Sequence, residues 1–299
     1  FRAVNSCLVL LPMAHGRRLY TVEGLRTGDQ YHPAQAVLAE ALGSQCGYCT
    51  PGIVMSLFEA CYRGDVTSPW QVDDQLAGNL CRCTGYRPIR DAATELVGSM
   101  PADRFAQVLE GEASAMPPLA YEAEAEAFCA PTTWEDLEAL LHAHSDVRFI
   151  CGATDLGLDV TKRHARFPCL ISVERLPGMK DVEERDGCWR VGAAVSLSDL
   201  ESLSERRLPV MARMLRFFGA RQIKNRATLG GNICNASPIG DTPPVLLALA
   251  ASVIVRRGDV ERAVPIDDFF RGYRETALQP GEVVCAVQIP DPPPDALLG

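Results

Sequence analysis

Four cysteines in this 299-residue chain stand in two closely spaced pairs. Two residues separate Cys46 from Cys49, one residue separates Cys81 from Cys83, and thirty-one residues lie between the pairs. Four converging thiolates are soft ligands that bind either zinc or an iron–sulfur cluster. Structural zinc sites usually have two or more residues within a cysteine pair, so the single residue between Cys81 and Cys83 favours a cluster. On spacing alone, zinc stays open as the alternative.

Glycines adjoin both cysteine pairs, at positions 47, 52, 78 and 85. Because glycine has no side chain, these positions would let backbone N–H groups approach a cluster whose sulfides accept hydrogen bonds. Most other cysteines stand singly among apolar neighbours and are typical of small buried residues: Cys61, Cys129, Cys151, Cys169, Cys188, Cys234 and Cys285.

Two glycine-bearing segments in the second half of the chain could bind a phosphate group. Phe149–Leu156 has the pattern of a strand, a turn and a helix, which aims N–H groups at an anion. Its spacing is not Gly-x-Gly-x-x-Gly, and by itself an ordinary strand–helix turn is the alternative. In Thr228–Ile233 and Ala236–Asp241, paired glycines permit close backbone approach, and short polar side chains could contact phosphate and hydroxyl groups.

The elements around the cysteine pairs are predicted to be helices. Apolar spacing and proline positions predict four of them, near Pro33–Leu42, Pro51–Cys61, Pro69–Ala77 and Pro88–Val97. Packing of the second against the fourth would bring the two cysteine pairs together in a helical bundle.

The rest of the chain has a different pattern. Residues 101–127 are rich in proline, alanine and glutamate with little periodicity, which predicts a linker. From residue 128 onward strands alternate with helices, which predicts an α/β domain. A capping box is predicted at Thr132–Glu135 and a hairpin turn at Asp186–Gly187.

Composition and charge exclude several classes of protein. The length suggests about two domains, and 47% hydrophobic with 22% charged residues is typical of a soluble globular chain. A net charge of −9 argues against a nucleic-acid or anionic-membrane partner. The longest apolar stretch, Val245–Val255, is too short to span a bilayer. We expect a cytoplasmic protein.

The cysteine motifs identify a family. Gln45–Gly52 and Gly78–Ile89 resemble the helical [2Fe–2S] domain of the xanthine dehydrogenase/aldehyde oxidase family of molybdenum hydroxylases. By this resemblance Cys46, Cys49, Cys81 and Cys83 bind one [2Fe–2S] cluster.

The second half resembles the FAD-binding domain of the same family, which is related to the vanillyl-alcohol-oxidase type. The resemblance places FAD contacts at Phe149, Ile150, Cys151, Gly152, Ala153, Thr154, Asp155, Leu156, Phe218, Thr228, Asn232, Asp241 and Val284. Ala153 stands where the relatives commonly carry asparagine.

The start of the chain resembles the end of the plant-type ferredoxin domain that precedes the helical domain in this family. Cys7 would be the fourth ligand of a second [2Fe–2S] cluster, and Tyr20–Leu25 would form a strand and turn. The plant-type pattern needs three further cysteines, in a C-x₄-C-x₂-C run, which we expect before Phe1. The chain is thus expected to be a fragment.

The resemblance implies an α+β multidomain fold. Residues 1–28 would end a β-grasp ferredoxin-like domain, 29–100 would form the four-helix [2Fe–2S] domain, and 101–127 the linker. Residues 128–299 would form the α/β FAD-binding domain, without its C-terminal part.

The implied function is electron transfer in a xanthine dehydrogenase-like enzyme that oxidises hypoxanthine and xanthine to urate. Electrons would pass from a molybdopterin-bound molybdenum centre through two [2Fe–2S] clusters to FAD and then to NAD⁺. The implied partner is a molybdopterin-binding large subunit, in a heterotetramer of two small and two large subunits. Two alternatives stay open: an aldehyde oxidase-like enzyme that uses O₂, and a zinc-stapled interaction module without redox function.

Overall fold

A computed structural model describes residues 1–111, 115–185 and 187–292. The chain divides into two compact units. The helical unit comprises Phe1–Asn5, Arg17–Ala115 and Gly219–Asn225, and the α/β unit comprises Ser6–Gly16, Met116–Phe218 and Arg226–Gly299. The chain therefore passes between the units several times, and a short segment far along the sequence belongs to the helical unit.

The described residues contain both helices and strands. The α-helices, in chain order, are α1 Pro33–Glu40, α2 Thr50–Cys61, α3 Pro69–Leu76, α4 Arg87–Leu96, α5 Arg104–Glu110, α6 Trp134–Ala143, α7 Leu156–Arg163, α8 Leu197–Arg207, α9 Pro209–Arg216, α10 Arg221–Lys224, α11 Leu229–Cys234, α12 Thr242–Ala248 and α13 Ile266–Phe269. The strands are β1 Leu119–Ala123, β2 Glu126–Ala130, β3 Val147–Ile150, β4 Cys169–Ser172, β5 Val182–Arg185, β6 Cys188–Gly192, β7 Ser252–Arg257, β8 Val260–Pro265, β9 Phe270–Gly272, β10 Glu275–Thr276 and β11 Val283–Pro290.

The four predicted helices of the helical unit are α1 to α4. Proline occupies the first or second position of each, where its missing N–H costs no hydrogen bond. Helix α2 contributes Ile53, Leu57 and Phe58 to the core, and all three side chains are almost fully enclosed. Such burial contributes roughly 1.5–3 kcal/mol for each large apolar side chain.

An aromatic cluster closes one end of this core. The ring of Phe1 lies 4.9 Å from that of Phe58 and 5.6 Å from that of Tyr20, and Phe58 lies 4.9 Å from Phe105 in an edge-on arrangement. Phe105 belongs to α5, which follows the bundle. The N-terminal residues and α5 are thus parts of the helical unit.

The α/β unit is built on two larger sheets. One has the strand order β1-β2-β4-β3, in which β4 is parallel to both β2 and β3. Helix α7 connects β3 to β4, so these three elements form a βαβ unit. The other sheet is antiparallel, with the order β5-β6-β11-β7-β8. Its central strand β11 is almost continuously buried, as a strand covered on both faces must be.

In three places the predicted local structure differs from the observed one. Tyr20–Leu25 contains no strand: Val22–Leu25 is a 3₁₀-helix, because Gly24 N–H bonds locally to the carbonyl of Thr21. Residues 101–127 contain α5, β1 and the start of β2 rather than only a linker, since Phe105 of α5 is buried in the aromatic cluster and β1 pairs with β2.

The third difference concerns a helix cap. Helix α6 is capped by Thr133, whose hydroxyl accepts the N–H of Asp136 at 3.1 Å, and not by Thr132. The turn predicted at Asp186–Gly187 falls between the paired strands β5 and β6 in sequence, and Asp186 lies outside the described residues. No helix in the described part of the chain is both long and apolar enough to cross a membrane.

Candidate cofactor sites

The four paired cysteines come together in the helical unit. The thiol of Cys46 interacts with that of Cys83, and the thiol of Cys49 interacts with that of Cys81. Cys46 and Cys81 also interact electrostatically. Each pair in space therefore takes one cysteine from each pair in sequence.

In each pair, one thiol has a lowered pKa and the other has a raised pKa. The Thr84 hydroxyl, followed by the N–H groups of Thr84 and Cys83, lowers the pKa of Cys81 to about 7. Its Oγ1 lies 3.2 Å from the sulfur. Burial raises the pKa of the partner Cys49. Thiolates are the form that binds metal, so Cys81 is prepared for ligation.

The second thiol pair repeats this pattern. The backbone N–H of Tyr48 is the main cause that lowers the pKa of Cys46, and the hydrogen bond to Cys46 raises the pKa of Cys83. Gly47 has φ +82° and an added Cβ would meet no atom within 4 Å, so its backbone is open on that side. Gly85, with φ +68°, is equally open. The predicted role of these two glycines agrees with this geometry.

Gly52 and Gly78 have another role than the one predicted. A Cβ on Gly52 would lie 2.7 Å from the Asn79 side chain, and one on Gly78 would lie 1.9 Å from Oε1 of Gln222. These glycines make room for amide side chains of the protein. Sequence patterns alone gave no indication of either contact.

The donor set suits a two-iron cluster. Among the described residues, no group of three or more His, Cys, Asp and Glu side chains is arranged to bind a single metal ion. A [2Fe–2S] core takes two thiolates on each of two irons, so four thiols in two pairs are the arrangement it requires. The pairs Cys46/Cys83 and Cys49/Cys81 supply it.

Cys7 lies elsewhere. It is exposed in a short 3₁₀-helix, Ser6–Leu8, which belongs to the α/β unit. Leu8 packs against α7, where a Cβ on Gly157 would lie 2.7 Å from the Leu8 carbonyl oxygen. Its assignment to a plant-type cluster stays a prediction.

In the α/β unit, the predicted phosphate-binding loop follows β3 and ends at α7. The N–H groups of Gly152, Ala153, Thr154 and Asp155 donate to no other group of the described residues, although Gly152 and Ala153 are buried. Buried N–H groups are almost always paired, so this loop offers donors to a ligand. It lies at the carboxyl end of a parallel strand, where ligands of α/β proteins usually bind.

A pair of charged residues joins this loop to the next motif. Nη2 of Arg226 donates to the Cys151 carbonyl at 3.2 Å and to Oε2 of Glu174 at 3.1 Å. Gly152 packs so tightly on Arg226 that a Cβ would lie 2.1 Å from its carbonyl oxygen. The loop after β3 and the start of the second glycine-bearing segment are therefore neighbours. The sequence analysis missed Arg226 and Glu174.

The paired glycines of the second segment serve the fold. The N–H of Gly230 donates to the carbonyl of Ala193 at 2.9 Å, and a Cβ on Gly230 would lie 2.6 Å from the Ala193 side chain. The N–H of Gly231 donates to the hydroxyl of Thr228, which caps α11. The close backbone approach at Gly230 is thus to the protein and not to a ligand.

The remaining predicted FAD contacts have different settings. Asn232 Oδ1 accepts the Thr242 hydroxyl of α12, next to the exposed Asp241. Phe218 is half-buried after α9, and Val284 is buried in β11. Burial raises the pKa of the Cys151 thiol to about 12, so this cysteine is neutral. These residues stay predicted FAD contacts. The unpaired N–H groups of residues 152–155 fit a diphosphate.

Two known protein families match the chain, one in each half. Residues 21–94 match the "[2Fe-2S] binding domain" family, and residues 121–292 match the "FAD binding domain in molybdopterin dehydrogenase" family. Two such domains define an iron–sulfur flavoprotein.

The relatives specify the class further. The chain is 30% identical to a xanthine dehydrogenase of Emericella nidulans and 30% identical to a xanthine dehydrogenase/oxidase of Rattus norvegicus, over 96% of its own length in both alignments. It spans about a quarter of these relatives, 26% in each. A solved carbon monoxide dehydrogenase from Hydrogenophaga pseudoflava is 28% identical with a TM-score of 0.53, covering 60% of this chain and 62% of the other. The chain belongs to the xanthine dehydrogenase family of molybdenum hydroxylases.

Proposed function

We propose that this chain is the electron-transfer part of a xanthine dehydrogenase that oxidises hypoxanthine and xanthine to urate and delivers the electrons to NAD⁺. The observation that carries the proposal is the presence, in one chain, of two preformed thiol pairs and a loop of unpaired amides. The names of the relatives support the substrate, and their greater length supports a molybdopterin-binding part outside this chain.

The helical unit would bind one [2Fe–2S] cluster through Cys46, Cys49, Cys81 and Cys83. The hydroxyl of Thr84 and the N–H of Tyr48 would stabilise the thiolate charge of Cys81 and Cys46, as outer hydrogen bonds do at metal sites. Tyr86 supports the same loop, because its hydroxyl accepts the N–H of Cys81 at 2.9 Å.

The α/β unit would bind FAD. The N–H groups of residues 152–155 would donate to its pyrophosphate, and the Arg226–Glu174 pair would hold the loop in place through the Cys151 carbonyl. When bound, the cluster would supply one-electron transfer and FAD two-electron transfer. The protein's own contribution is to position these groups and to exclude water from Gly152 and Ala153.

We further propose the wider assembly. Cys7 would complete a second [2Fe–2S] cluster with three cysteines outside residues 1–299. The partner would be a molybdopterin-binding large subunit, in a cytoplasmic heterotetramer of two small and two large subunits.

Cofactor analysis of the purified protein tests the proposal directly. We expect iron, acid-labile sulfide and acid-released FAD, with an absorption spectrum of both chromophores. A colourless protein that contains zinc would contradict the proposal and favour the interaction module.

The substrate and the electron acceptor need the complete complex. With the molybdenum partner present, xanthine should be oxidised faster than an aromatic aldehyde, and NAD⁺ should support faster turnover than O₂. Preference for an aldehyde, or for O₂, would leave the cofactor assignment intact and replace the xanthine or the NAD⁺ assignment.

A further inference from the structure

The segment Gly219–Asn225 belongs to the helical unit, although it lies far along the chain and inside the residues matched to the FAD-binding family. Nε of Arg221 donates to Glu59 of α2 at 3.0 Å, and Nζ of Lys224 donates to Asp74 of α3 at 2.9 Å. Asn225 donates to the same Glu59 carboxylate at 3.1 Å. The segment therefore connects the two helices that precede the cysteine pair Cys81–Cys83.

These contacts are buried. Lys224 is 0% exposed and Glu59 is 1% exposed. Removing one partner from a buried ion pair is strongly destabilising, because the other charge is left in a low-dielectric surrounding. The segment must therefore stay in place whenever the helical unit is folded.

Gln222 occupies the centre of the segment. Its Nε2 donates to Ser56 Oγ at 2.8 Å and to the Gln75 carbonyl at 3.0 Å. These two acceptors fix the orientation of the amide. Its Oε1 then points at Gly78, and it is buried without a hydrogen-bond partner among the described residues. A buried oxygen without a partner is costly, so its retention here calls for a reason.

The reason lies in the second ligand loop, which we define as residues 78–83. Gln222 covers Gly78 so closely that a Cβ there would lie 1.9 Å from Oε1 and 3.1 Å from Ala220 Cβ. Asn79 donates to Ser56 Oγ at 2.6 Å, so Ser56 accepts hydrogen bonds from both Gln222 and Asn79. One hydroxyl group thus ties the start of the loop to Gln222.

We infer that Gln222 is a positioning residue for the cluster. Carried by a segment from the second half of the chain, it fixes Gly78 and Asn79 and so sets where the second ligand loop presents Cys81 and Cys83. The inference rests on the proposed function in one respect, namely that these cysteines bind the [2Fe–2S] cluster.

The first test compares two buried glutamines in the full chain. Gln222→Ala should still bind the cluster, but a chelator should remove its iron about tenfold faster, in line with the loss of outer contacts at metal sites. The EPR spectrum of the reduced cluster should change its g-values. Gln71→Ala is the matched control, because Gln71 is equally buried and bonds to Asp65, Thr67 and Ser68 at the start of α3. It should keep the wild-type spectrum.

The second test uses the close contact at Gly78. Gly78→Ala should reduce iron content, and adding Gln222→Ala should restore it to the level of Gln222→Ala alone, because the atom that blocks the new methyl group is gone. The remaining approach to Ala220 is mild and can relax by a few tenths of an ångström.

Three results would overturn the inference. Gln222→Ala could match Gln71→Ala in both spectrum and iron release, it could keep the wild-type spectrum while only unfolding more easily, or the double variant could contain no more iron than Gly78→Ala. None of these would affect the proposed binding of a cluster by the four cysteines, which fails if the wild-type chain lacks the iron–sulfur spectrum.

Discussion

In the helical unit, the groups suited to bind a cofactor are side chains, and the protein has already paired them: Cys46 with Cys83 and Cys49 with Cys81. In the α/β unit, the suitable groups are backbone N–H groups of residues 152–155, and the side chains around them serve to hold the loop. Glycines differ in the same way. Gly47 and Gly85 are open beside the thiols, whereas Gly152 and Gly230 are closed by neighbouring backbone.

This difference teaches how each site tolerates change. A thiol ligand is lost with one substitution, because no other group replaces a thiolate. A backbone donor is kept by any side chain that preserves the loop conformation, so the FAD site should be sensitive to shape and insensitive to side-chain chemistry.

The largest effect should follow loss of a ligand. Cys81→Ser should remove one cluster, about two iron atoms per chain, because a [2Fe–2S] cluster needs all four cysteines. The helical unit should unfold more easily, since metal binding contributes folding free energy. Iron and sulfide analysis measures the loss. Cys188→Ser, in β6 of the α/β unit, is the control and should keep its iron. Full iron content in Cys81→Ser would show that the ligand assignment is wrong.

The matching experiment in the α/β unit changes shape. Gly152→Val should lower FAD occupancy and leave iron unchanged, because its Cβ would lie 2.1 Å from the Arg226 carbonyl oxygen and force the loop to move. Overpacking of this kind costs about 1–3 kcal/mol or more. Flavin released by acid, counted against iron, measures the effect. Gly272→Ala, whose only close neighbour is the flexible Glu275 side chain, should keep its flavin. Loss of iron together with flavin would contradict the separation of the two sites.

An intermediate effect concerns pH and the helical unit alone. His32 Nδ1 accepts the Ala34 N–H at 3.1 Å as the cap of α1, which requires a neutral ring with its proton on Nε2. Burial, the largest cause, lowers the pKa of His32, Arg104 lowers it further, and Asp103 raises it. The folded state therefore binds the proton less readily than the unfolded state, whose histidine pKa is about 6.5. The contribution of His32 to the free energy of unfolding is therefore fully present above that value and is lost as the pH falls below it.

The measurement is denaturant unfolding followed by circular dichroism at about pH 7.5 and about pH 5.5, on either side of the histidine pKa. His32→Asn keeps a side-chain oxygen that can cap α1, but this side chain does not titrate. The difference in the free energy of unfolding between the two pH values should therefore be smaller by about 1 kcal/mol, the usual contribution of a helix cap. His164→Asn, at an exposed position after α7, should leave it unchanged. If His32→Asn kept the wild-type pH dependence of the free energy of unfolding, that dependence would come from other groups.

The smallest effect should come from Ala153. It has φ +67°, a conformation that costs an L-residue roughly 1–2 kcal/mol and that asparagine and glycine adopt more easily. Ala153→Gly should stabilise the α/β unit by about 0.5–1 kcal/mol after the chain-entropy cost of glycine is subtracted. Thermal unfolding with flavin fluorescence measures it. Ala212→Gly, inside α9, should be destabilising. Equal losses of thermal stability in the two variants would contradict backbone strain at Ala153.

Much of the fold was accessible from local patterns. The four helices of the bundle and the alternation of strands and helices after residue 128 follow from apolar spacing and proline positions, because these record which face of each element is buried. Two segments differ from these patterns: Tyr20–Leu25 ends in a 3₁₀-helix, and residues 101–127 contain α5 and β1. Tyr20 and Phe105 pack against each other in the aromatic cluster, and no local pattern reports such a contact.

The sequence by itself determined the chemistry: four cysteines at this spacing, and glycine-bearing loops after predicted strands. Only the tertiary structure decided how they are used. Each cysteine is paired with one from the other sequence pair. The N–H groups of Gly230 and Gly231 have partners within the protein, whereas those of residues 152–155 have none among the described residues. The segment Gly219–Asn225 belongs to the helical unit. The physical reason is that hydrogen-bond partners and buried charges are satisfied across large sequence separations, such as Glu59 with Arg221.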